Sequence, residues 1–272
     1  MTAIDGRAVT SARPTPLPRP LREFAYRWIQ YRRTWRSSIV IGLVNPLLFC
    51  TGIGIGIGRL IDSAASGPLH GTPYLTFLAP GVMAASAMQM GFGAGAWYVQ
   101  RAASSSGSYR MSAATPLTPS DILVGHLLYS AFQIGLLSVG FFVVQAALGA
   151  APRLESLATV PAAILTGLAF AAPVSAWAVG RVTFKPVQVL FRFLIQPLYL
   201  VSGTFFPLST TPAWVQKAAW LSPLWHGVQL CRGLNLGTLT LGGLAVHGGI
   251  LVVMVVGGVA AARVTFQRRL HQ

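Results

Sequence analysis

The fold is decided by the stretch Gly233–Ala262, which reads GLNLGTLTLGGLAVHGGILVVMVVGGVAAA and contains no aspartate, glutamate, lysine or arginine. About 20 consecutive apolar residues in a helix cross the hydrocarbon core of a bilayer, which is ~30 Å thick. The other long stretches without these residue types are Ser37–Gly58, Ser63–Gln100, Ile122–Pro152, Ser156–Gly180 and Phe193–Gln216. The sequence therefore predicts an all-α membrane protein with six transmembrane helices.

The composition supports this class and argues against a nucleic-acid partner. Only 9% of the residues are charged and 53% are hydrophobic, whereas ordinary soluble domains carry about 25% charged residues. The net charge of +15 is carried by arginines that flank the apolar stretches and do not form a groove with stacking aromatics. The lipid bilayer, with anionic headgroups in its cytoplasmic leaflet, is the predicted counterpart of this charge.

The positions of the basic residues predict which side each loop faces. Most of the 20 lysines and arginines lie in the N-terminal tail, after the second apolar stretch, around the start of the fifth and at the C-terminus. The exceptions are Arg59, Arg153, Lys217 and Arg232. Because cytoplasmic loops are enriched in lysine and arginine, both termini are predicted to be cytoplasmic in a multi-pass protein of the cell (inner) membrane.

The segment before the first span divides into a tail and a helix. Residues 1–20 are rich in proline and predict a disordered cytoplasmic tail, followed by a helix over 21–37 and a six-span domain over 38–272. An apolar stripe recurs at helical spacing and consists of Leu21, Phe24, Trp28, Tyr31 and Trp35. A tryptophan-bearing stripe beside arginines is typical of a helix in the headgroup layer. Arg27 and Arg32 flank the stripe and could reach the headgroups; the alternative is a plain extension of the first span.

Glycines end the first span in the run Gly52-Ile53-Gly54-Ile55-Gly56-Ile57-Gly58. Small residues four apart allow two helices to approach closely in lipid. A phosphate loop is excluded because no Gly-Lys-Ser/Thr follows. The run therefore predicts a helix–helix contact.

Several kinds of chemistry are missing from the sequence. No acidic residue lies within an apolar stretch, which disfavours proton- or sodium-driven transport. The chain lacks a Walker A motif and cannot hydrolyse ATP alone. Its histidines show no metal-ligand spacing, so no metal site and no cofactor in this chain are predicted.

Two segments between the spans are more polar. In Arg101–Asp121, Thr118 and Asp121 predict a helix N-terminus with Pro119 in the first position, and Ser108–Ala114 predicts a short helix on the membrane surface. Ser202–Leu236 contains several prolines and three tryptophans, which predicts one or two short helices dipping into the outer leaflet.

Four short motifs in this order resemble the permease subunits of ABC exporters of the ABC-2 type, in particular nodulation-factor and anthracycline-resistance permeases. They are Phe77–Gly81 (FLAPG), Ala114–Pro119 (ATPLTP), Ser202–Pro207 (SGTFFP) and Leu221–His226 (LSPLWH). The resemblance covers residues 20–265. It implies that the N-terminal helix is an interfacial connecting helix, that a cytoplasmic coupling helix lies at about 103–114 between spans two and three, and that re-entrant extracytoplasmic helices lie within 207–234, before span six.

The resemblance also implies partners and sites. Two copies of an ATP-binding-cassette ATPase, which hold the ATP and Mg²⁺, would pair with this chain and a second copy or a homologue of it. The residues expected at the ATPase are Gly107, Ser108, Tyr109, Arg110, Met111, Arg22, Arg27 and Arg32. The residues expected at an extracellular gate are Phe205, Phe206 and Pro207. Related permeases often carry Gly-Thr-x-Glu in the coupling segment, whereas Arg110 here suggests an acidic patch on the partner.

The spans expected to line a translocation path are one, two and five. Their polar residues are Asn45, Thr51, Ser86, Gln89, Gln196, Tyr199 and Ser202. A lining of such low polarity favours an amphiphilic cargo such as a drug, a lipid or a lipid-linked glycan. The alternatives are a stand-alone channel or ion-coupled carrier, and a membrane-embedded acyl- or glycosyl-transferase that uses His126 or His226 with Asp121.

Overall fold

The computed structural model describes residues 18–63, 69, 71–104, 107–113, 115–181 and 183–270. Within these ranges the chain is helical and contains no strand, as the sequence predicts. We label the helices in chain order: α1 (Arg19–Leu48, continued by the π-helical segment Phe49–Ile57 and by Gly58–Asp62), α2 (Tyr74–Gly93, continued by Ala94–Tyr98 and Val99–Ala102), α3 (Ser108–Ala113), α4 (Pro119–Ala147), α5 (the 3₁₀ segment Leu154–Ala158 and Thr159–Ala178), α6 (Lys185–Leu190, Phe191–Ile195 and Gln196–Val201), α7 (Ala213–Trp220), α8 (Pro223–Leu236) and α9 (Leu241–Leu270).

Four helices in the described part of the chain are long and apolar enough to cross a membrane: Tyr74–Ala102, Pro119–Ala147, Leu154–Ala178 and Leu241–Arg269. They correspond to the predicted spans two, three, four and six. Helix α6, at the predicted fifth span, has segments of 6, 5 and 6 residues, which reach about 25 Å at ~1.5 Å per residue. The all-α membrane class is confirmed, and the six-span topology stays a prediction.

The N-terminal helix differs from its predicted boundaries. Helix α1 runs from Arg19 to Asp62 without a break at residue 37, and residues 1–17 of the predicted tail lie outside the described residues. Part of the aromatic stripe packs on protein: Trp28 and Tyr31 lie 5.2 and 5.4 Å from the ring of Phe132 on α4. The stripe thus serves helix packing in addition to any role at the headgroups.

The centre of the molecule is held by close backbone contact between α2 and α5. A Cβ atom at Gly91 would overlap the carbonyl of Gly167, and one at Gly95 would overlap the carbonyl of Ala171. Small residues four apart on both helices therefore allow the backbones to touch, which is the main way that apolar helices associate in lipid. The side chains around this crossing, such as Met88 and Phe92, are fully buried.

The sixth span begins later than predicted. Its predicted stretch starts at Gly233, but helix α8 continues to Leu236 and ends at Gly237, which has a φ of 66°. Glycine adopts this left-handed conformation without steric cost and commonly ends helices. Helix α9 then starts at Leu241, where the Thr240 hydroxyl accepts a hydrogen bond from the Gly243 amide at 3.0 Å.

The two polar segments lie at opposite ends of α2. At its first residue the Tyr74 hydroxyl donates to the Phe205 carbonyl at 2.9 Å, and at its other end Val99 and Ala102 share an apolar cluster with Tyr109. The helix Tyr74–Ala102 has 29 residues, or about 43 Å at ~1.5 Å per residue. The two segments are thus separated by more than the ~30 Å thickness of a hydrocarbon core.

Candidate functional site

The predicted coupling segment, of which residues 103–104 and 107–113 are described, folds back on the end of α2 through Gly107. The Gly107 amide donates to the Ser104 carbonyl at 2.9 Å, and a Cβ atom at this position would overlap the carbonyls of Arg101 and Ala102. Only glycine fits so close to the backbone of the preceding helix. Helix α3 starts at Ser108 immediately afterwards, within the range predicted for it.

Tyr109 fixes α3 to the rest of the protein. Its side chain is completely buried, and its ring centre lies 5.6 Å from that of Phe266 on α9 and 6.3 Å from that of His126 on α4. Aromatic pairs at such distances stabilise beyond the burial of their area. Helix α3 is therefore attached through one side chain to the last and the third predicted spans.

A buried ion pair on α1 completes this contact. The Arg27 guanidinium lies 2.9 Å from the Glu23 carboxylate, and both side chains are 1% exposed. The second oxygen of Glu23 accepts a hydrogen bond from the Ser112 hydroxyl at 2.9 Å. The expectation that Arg27 reaches the headgroups is wrong, since the guanidinium lies 4.3 Å from the ring centre of Tyr98, where a cation–π interaction is favourable.

Burial acts on the pKa values of Tyr109 and Arg27 in opposite directions. Burial raises the pKa of Tyr109 well above its usual range, against the opposing effect of Arg27, so the phenol is neutral. Burial opposes the charge of Arg27, but Tyr109, Tyr98 and Glu23 together outweigh it and raise its pKa above the usual value. A charged guanidinium thus lies beside a neutral phenol, and the cluster is a structural connection between α1 and α3.

The remaining residues expected at an ATPase lie on a more open surface. Met111 is 61% exposed, and Arg32 is also exposed. Arg22, Ser108 and Met111 line a cavity of about 400 Å³ between α1 and α3. The side chain of Arg110 lies outside the described residues. Tyr109 and Met111 therefore divide α3 into an inward and an outward face.

The predicted gate residues lie in the segment Ser202–Pro207, called the gate segment below. This segment is held by α2 and α6 at the other end of the molecule. The Phe205 carbonyl accepts a hydrogen bond from the Tyr74 hydroxyl. The Phe205 ring centre lies 5.4 Å from that of Tyr199 on α6. Phe206 is 39% exposed, and Pro207 precedes a 3₁₀ turn. The Tyr74 amide also donates to the Asp62 carboxylate of α1 at 2.9 Å, which satisfies one free donor at the start of α2.

Arg232 on α8 is a functional candidate that the sequence reasoning missed. Its side chain is 9% exposed, and it donates to the carbonyls of Phe77 at 3.2 Å, Gly203 at 2.8 Å and Thr204 at 3.3 Å. The guanidinium carbon lies 3.7 Å from the ring centre of Phe77. The sequence signal for this role was an arginine directly before a long apolar stretch. A cation buried near the membrane needs partners that stabilise its charge.

The predicted path residues fall into different environments. Thr51 and Gln196 are exposed, Gln89 is half-buried, and Ser86 and Tyr199 are buried. Ser202 is buried too, and its hydroxyl lies 3.0 Å from that of Ser222, which caps α8. The side chain of Asn45 lies outside the described residues.

A histidine pair joins α8 to α9. The two Nδ1 atoms of His226 and His247 are 2.8 Å apart, and His226 Nε2 lies 2.9 Å from the Trp220 carbonyl. Because a carbonyl only accepts, His226 Nε2 carries the proton and its Nδ1 accepts from His247 in the neutral pair. This assigns both tautomers and connects α8, in the region predicted to be re-entrant, to α9.

The geometry does not support a transferase. The Asp121 carboxylate accepts from the Thr118 hydroxyl at 2.7 Å and forms the predicted capping box, whereas His126 is stacked on Tyr98 at 5.5 Å between ring centres. In the described ranges no hydrogen bond joins Asp121 to His126 or His226. The same ranges contain no group of three or more histidine, cysteine, aspartate or glutamate residues able to hold a metal ion.

Comparison with known proteins identifies the class. The family model for the ABC-2 type transporter matches residues 24–236. Nodulation protein J of Sinorhizobium fredii is 31% identical over 250 residues, covering 89% of this chain and 92% of the relative. Nodulation protein J of Rhizobium leguminosarum bv. viciae is 29% identical over 246 residues, covering 89% and 92%. The inner membrane transport permease YadH of Escherichia coli is 25% identical over 244 residues, covering 84% and 91%.

The chain therefore belongs to the ABC-2 type transporter family. Members of this family are membrane subunits of transporters and are not themselves enzymes. The resemblance found in the four sequence motifs is thus confirmed over most of the chain.

Proposed function

We propose that this protein is the transmembrane permease subunit of an ATP-binding-cassette exporter in the inner membrane. It spans the membrane six times and moves an amphiphilic substrate (a drug, a lipid or a lipid-linked glycan) out of the cytoplasm. A separate ATPase, present in two copies that hold ATP and Mg²⁺, supplies the energy, and a second permease copy or a homologue completes the passage. The main observation in support of the proposal is that α3 has two different faces. Tyr109 on one face is buried in the protein, and Met111 on the other is exposed.

The contacts of α3 support a route for the mechanical coupling. A force on Met111 would act on a helix whose other face is fixed to α9 by Tyr109 and to α1 by the contact of Ser112 with Glu23. Helix α1 in turn ends at Asp62, which holds the first residue of α2 next to the gate. Closure of the ATPase pair would therefore be communicated along α1 to the outer face.

The amphiphilic substrate class rests on the chemistry of the exposed helices. Thr51 and Gln196 are exposed together with large apolar side chains, including Phe193 at 77%. The Thr51 hydroxyl already donates to the Leu47 carbonyl of its own helix. A surface of this kind offers few hydrogen bonds and much apolar area, which suits a cargo with an acyl or aromatic part.

The experiment that tests the proposal is assembly with an ATP-binding-cassette protein from the same genome. The matched variants are Met111→Asp on α3 and Leu154→Asp, an apolar residue 84% exposed at the other end of the molecule. Met111→Asp should reduce the ATPase that copurifies by about fivefold or more, as for an interface residue worth ~1 kcal/mol or more. Leu154→Asp should leave it unchanged, and Arg110→Glu should weaken assembly if the facing surface is acidic.

Reconstituted vesicles separate the proposal from its alternatives. Transport should require both the ATPase and hydrolysable ATP. Transport by the permease alone along an ion gradient would favour a channel or carrier, and chemical conversion of a lipid by the purified chain would favour a transferase. Either result would overturn the proposed function.

A further inference from the structure

A cavity of about 610 Å³ opens at the outer end of the molecule, between the gate segment, α7 and α8. Two cationic residues line it, Arg232 and Lys217, and three aromatic ones, Phe77, Trp220 and Trp225. The lining also includes two glutamine amides, and no carboxylate is among the lining residues. The cavity therefore has the chemistry of an anion site with an apolar wall.

The Arg232 guanidinium is the central feature of this cavity. Its Nε and Nη2 atoms donate to three backbone carbonyls, and Nη1 takes part in none of these bonds. Among the described residues no ion pair joins Arg232 to a carboxylate. Arginine stays protonated in proteins, and a buried cation compensated only by carbonyl dipoles and the Phe77 ring favours the approach of an anion.

The surroundings of the cavity indicate an amphiphile. Lys217 is exposed at the rim, where its flexible ammonium group can reach an oxyanion. Trp220 is 51% exposed and Trp214, on the same helix, is 73% exposed. Exposed tryptophans are enriched at the membrane–water interface. A molecule whose charge lies at Arg232 would thus have its apolar part beside these rings, in the outer leaflet.

We propose that this cavity binds the phosphate-type oxyanion headgroup of an amphiphile, with Arg232 and Lys217 contacting the charge. The site stands independently of the transport function proposed above, because binding requires neither the ATPase nor movement of a cargo. Arg232 also holds the carbonyls of Gly203 and Thr204 in the gate segment. An occupied cavity would therefore stabilise the position of that segment.

The test uses the purified full-length chain in detergent and native mass spectrometry. The probes are dioctanoyl phosphatidylglycerol, dioctanoyl phosphatidylcholine and inorganic phosphate. Phosphatidylglycerol should bind more tightly than phosphatidylcholine. The Lys217→Gln variant should weaken phosphatidylglycerol binding by up to about fivefold, the effect of losing one exposed charge contact.

The matched control is Arg59→Gln, since Arg59 is also basic, exposed and at the outer end of the molecule, but outside the cavity. This variant should bind phosphatidylglycerol as the unmodified protein does. Inorganic phosphate that neither binds alone nor displaces phosphatidylglycerol assigns a lipid headgroup, and inorganic phosphate that binds alone as tightly as the lipid assigns a free anion. Equal binding of the two lipids, or an equal loss in both variants, would overturn the proposal.

Discussion

Arg27 and Glu23 lie one helical turn apart on α1, with 2.9 Å between guanidinium and carboxylate and with both side chains 1% exposed. A buried ion pair rarely adds net stability, because both charges lose their hydration. The role of this ion pair is to position the helices around it. Glu23 lies against Gly125 of α4, where a Cβ atom would overlap the Glu23 side chain, and it also accepts from Ser112. The pair thus sets the position of α3 relative to two longer helices.

Removal of one partner of this pair should destabilise the protein strongly. The Arg27→Gln variant leaves the Glu23 carboxylate buried without its cation, which costs ~3–5 kcal/mol in comparable cases. The midpoint of thermal unfolding in detergent should fall accordingly. Arg32→Gln changes an exposed arginine of the same helix and should leave the midpoint unchanged; equal midpoints for the two variants would contradict the structural role of Arg27.

The crossing of α2 and α5 should not tolerate a methyl group at Gly91. A Cβ atom there would overlap the Gly167 carbonyl, whereas one at Gly93 would lie 3.5 Å from the Trp97 ring, an ordinary contact. Overpacking of a close contact costs ~1–3 kcal/mol. Gly91→Ala should therefore unfold at lower denaturant concentration than Gly93→Ala, and the reverse order would show that the helices do not touch at Gly91.

The hydroxyl of Tyr74 should keep the gate segment closed. Tyr74→Phe keeps the ring and removes the hydrogen bond to the Phe205 carbonyl, worth ~1 kcal/mol or about a fivefold change in equilibrium. The measurement is labelling of Phe206→Cys by an impermeant maleimide after replacement of Cys50 and Cys231. Tyr74→Phe should label faster, while Tyr26→Phe on the opposite end should not; unchanged labelling would show that this bond does not restrain the segment.

The histidine pair should make stability depend on pH. Burial lowers the pKa of His226, so between that value and the ordinary one near 6.5 the unfolded chain binds a proton that the folded chain does not. The stabilisation of the folded protein by neutral His226 is therefore complete above about pH 6.5. It is lost as the pH falls towards the pKa that His226 has in the folded protein. Unfolding midpoints measured at about pH 7.5 and 5.5 should differ less in His226→Gln than in the unmodified protein. An unchanged difference would exclude His226 as the source.

The local features of the fold were predictable from adjacent residues. Thr118 and Asp121 form the predicted capping box, and α7 and α8 start directly after Pro212 and Ser222 as the turn residues indicate. These features depend on hydrogen bonds and dihedral angles within a few residues, which a single sequence displays directly.

The contacts between distant segments could not be predicted in the same way. Of the glycines at the end of α1, Gly54 and Gly58 pack on Leu75 and Tyr74 as predicted, but Gly52 is exposed and has nothing within 4 Å of its Cβ position. Periodicity shows that small residues share a face, and it does not show which helix covers that face. The same holds for Arg232, whose carbonyl partners Phe77 and Gly203 are far away in sequence.

Tyr74 is attached to two different neighbours, by its amide to Asp62 of the first helix and by its hydroxyl to Phe205. A tilt of α1 away from α2 must therefore either move the predicted gate segment as well or break one of these two hydrogen bonds. Tyr74 therefore links any tilt of α1 to the position of the predicted gate segment.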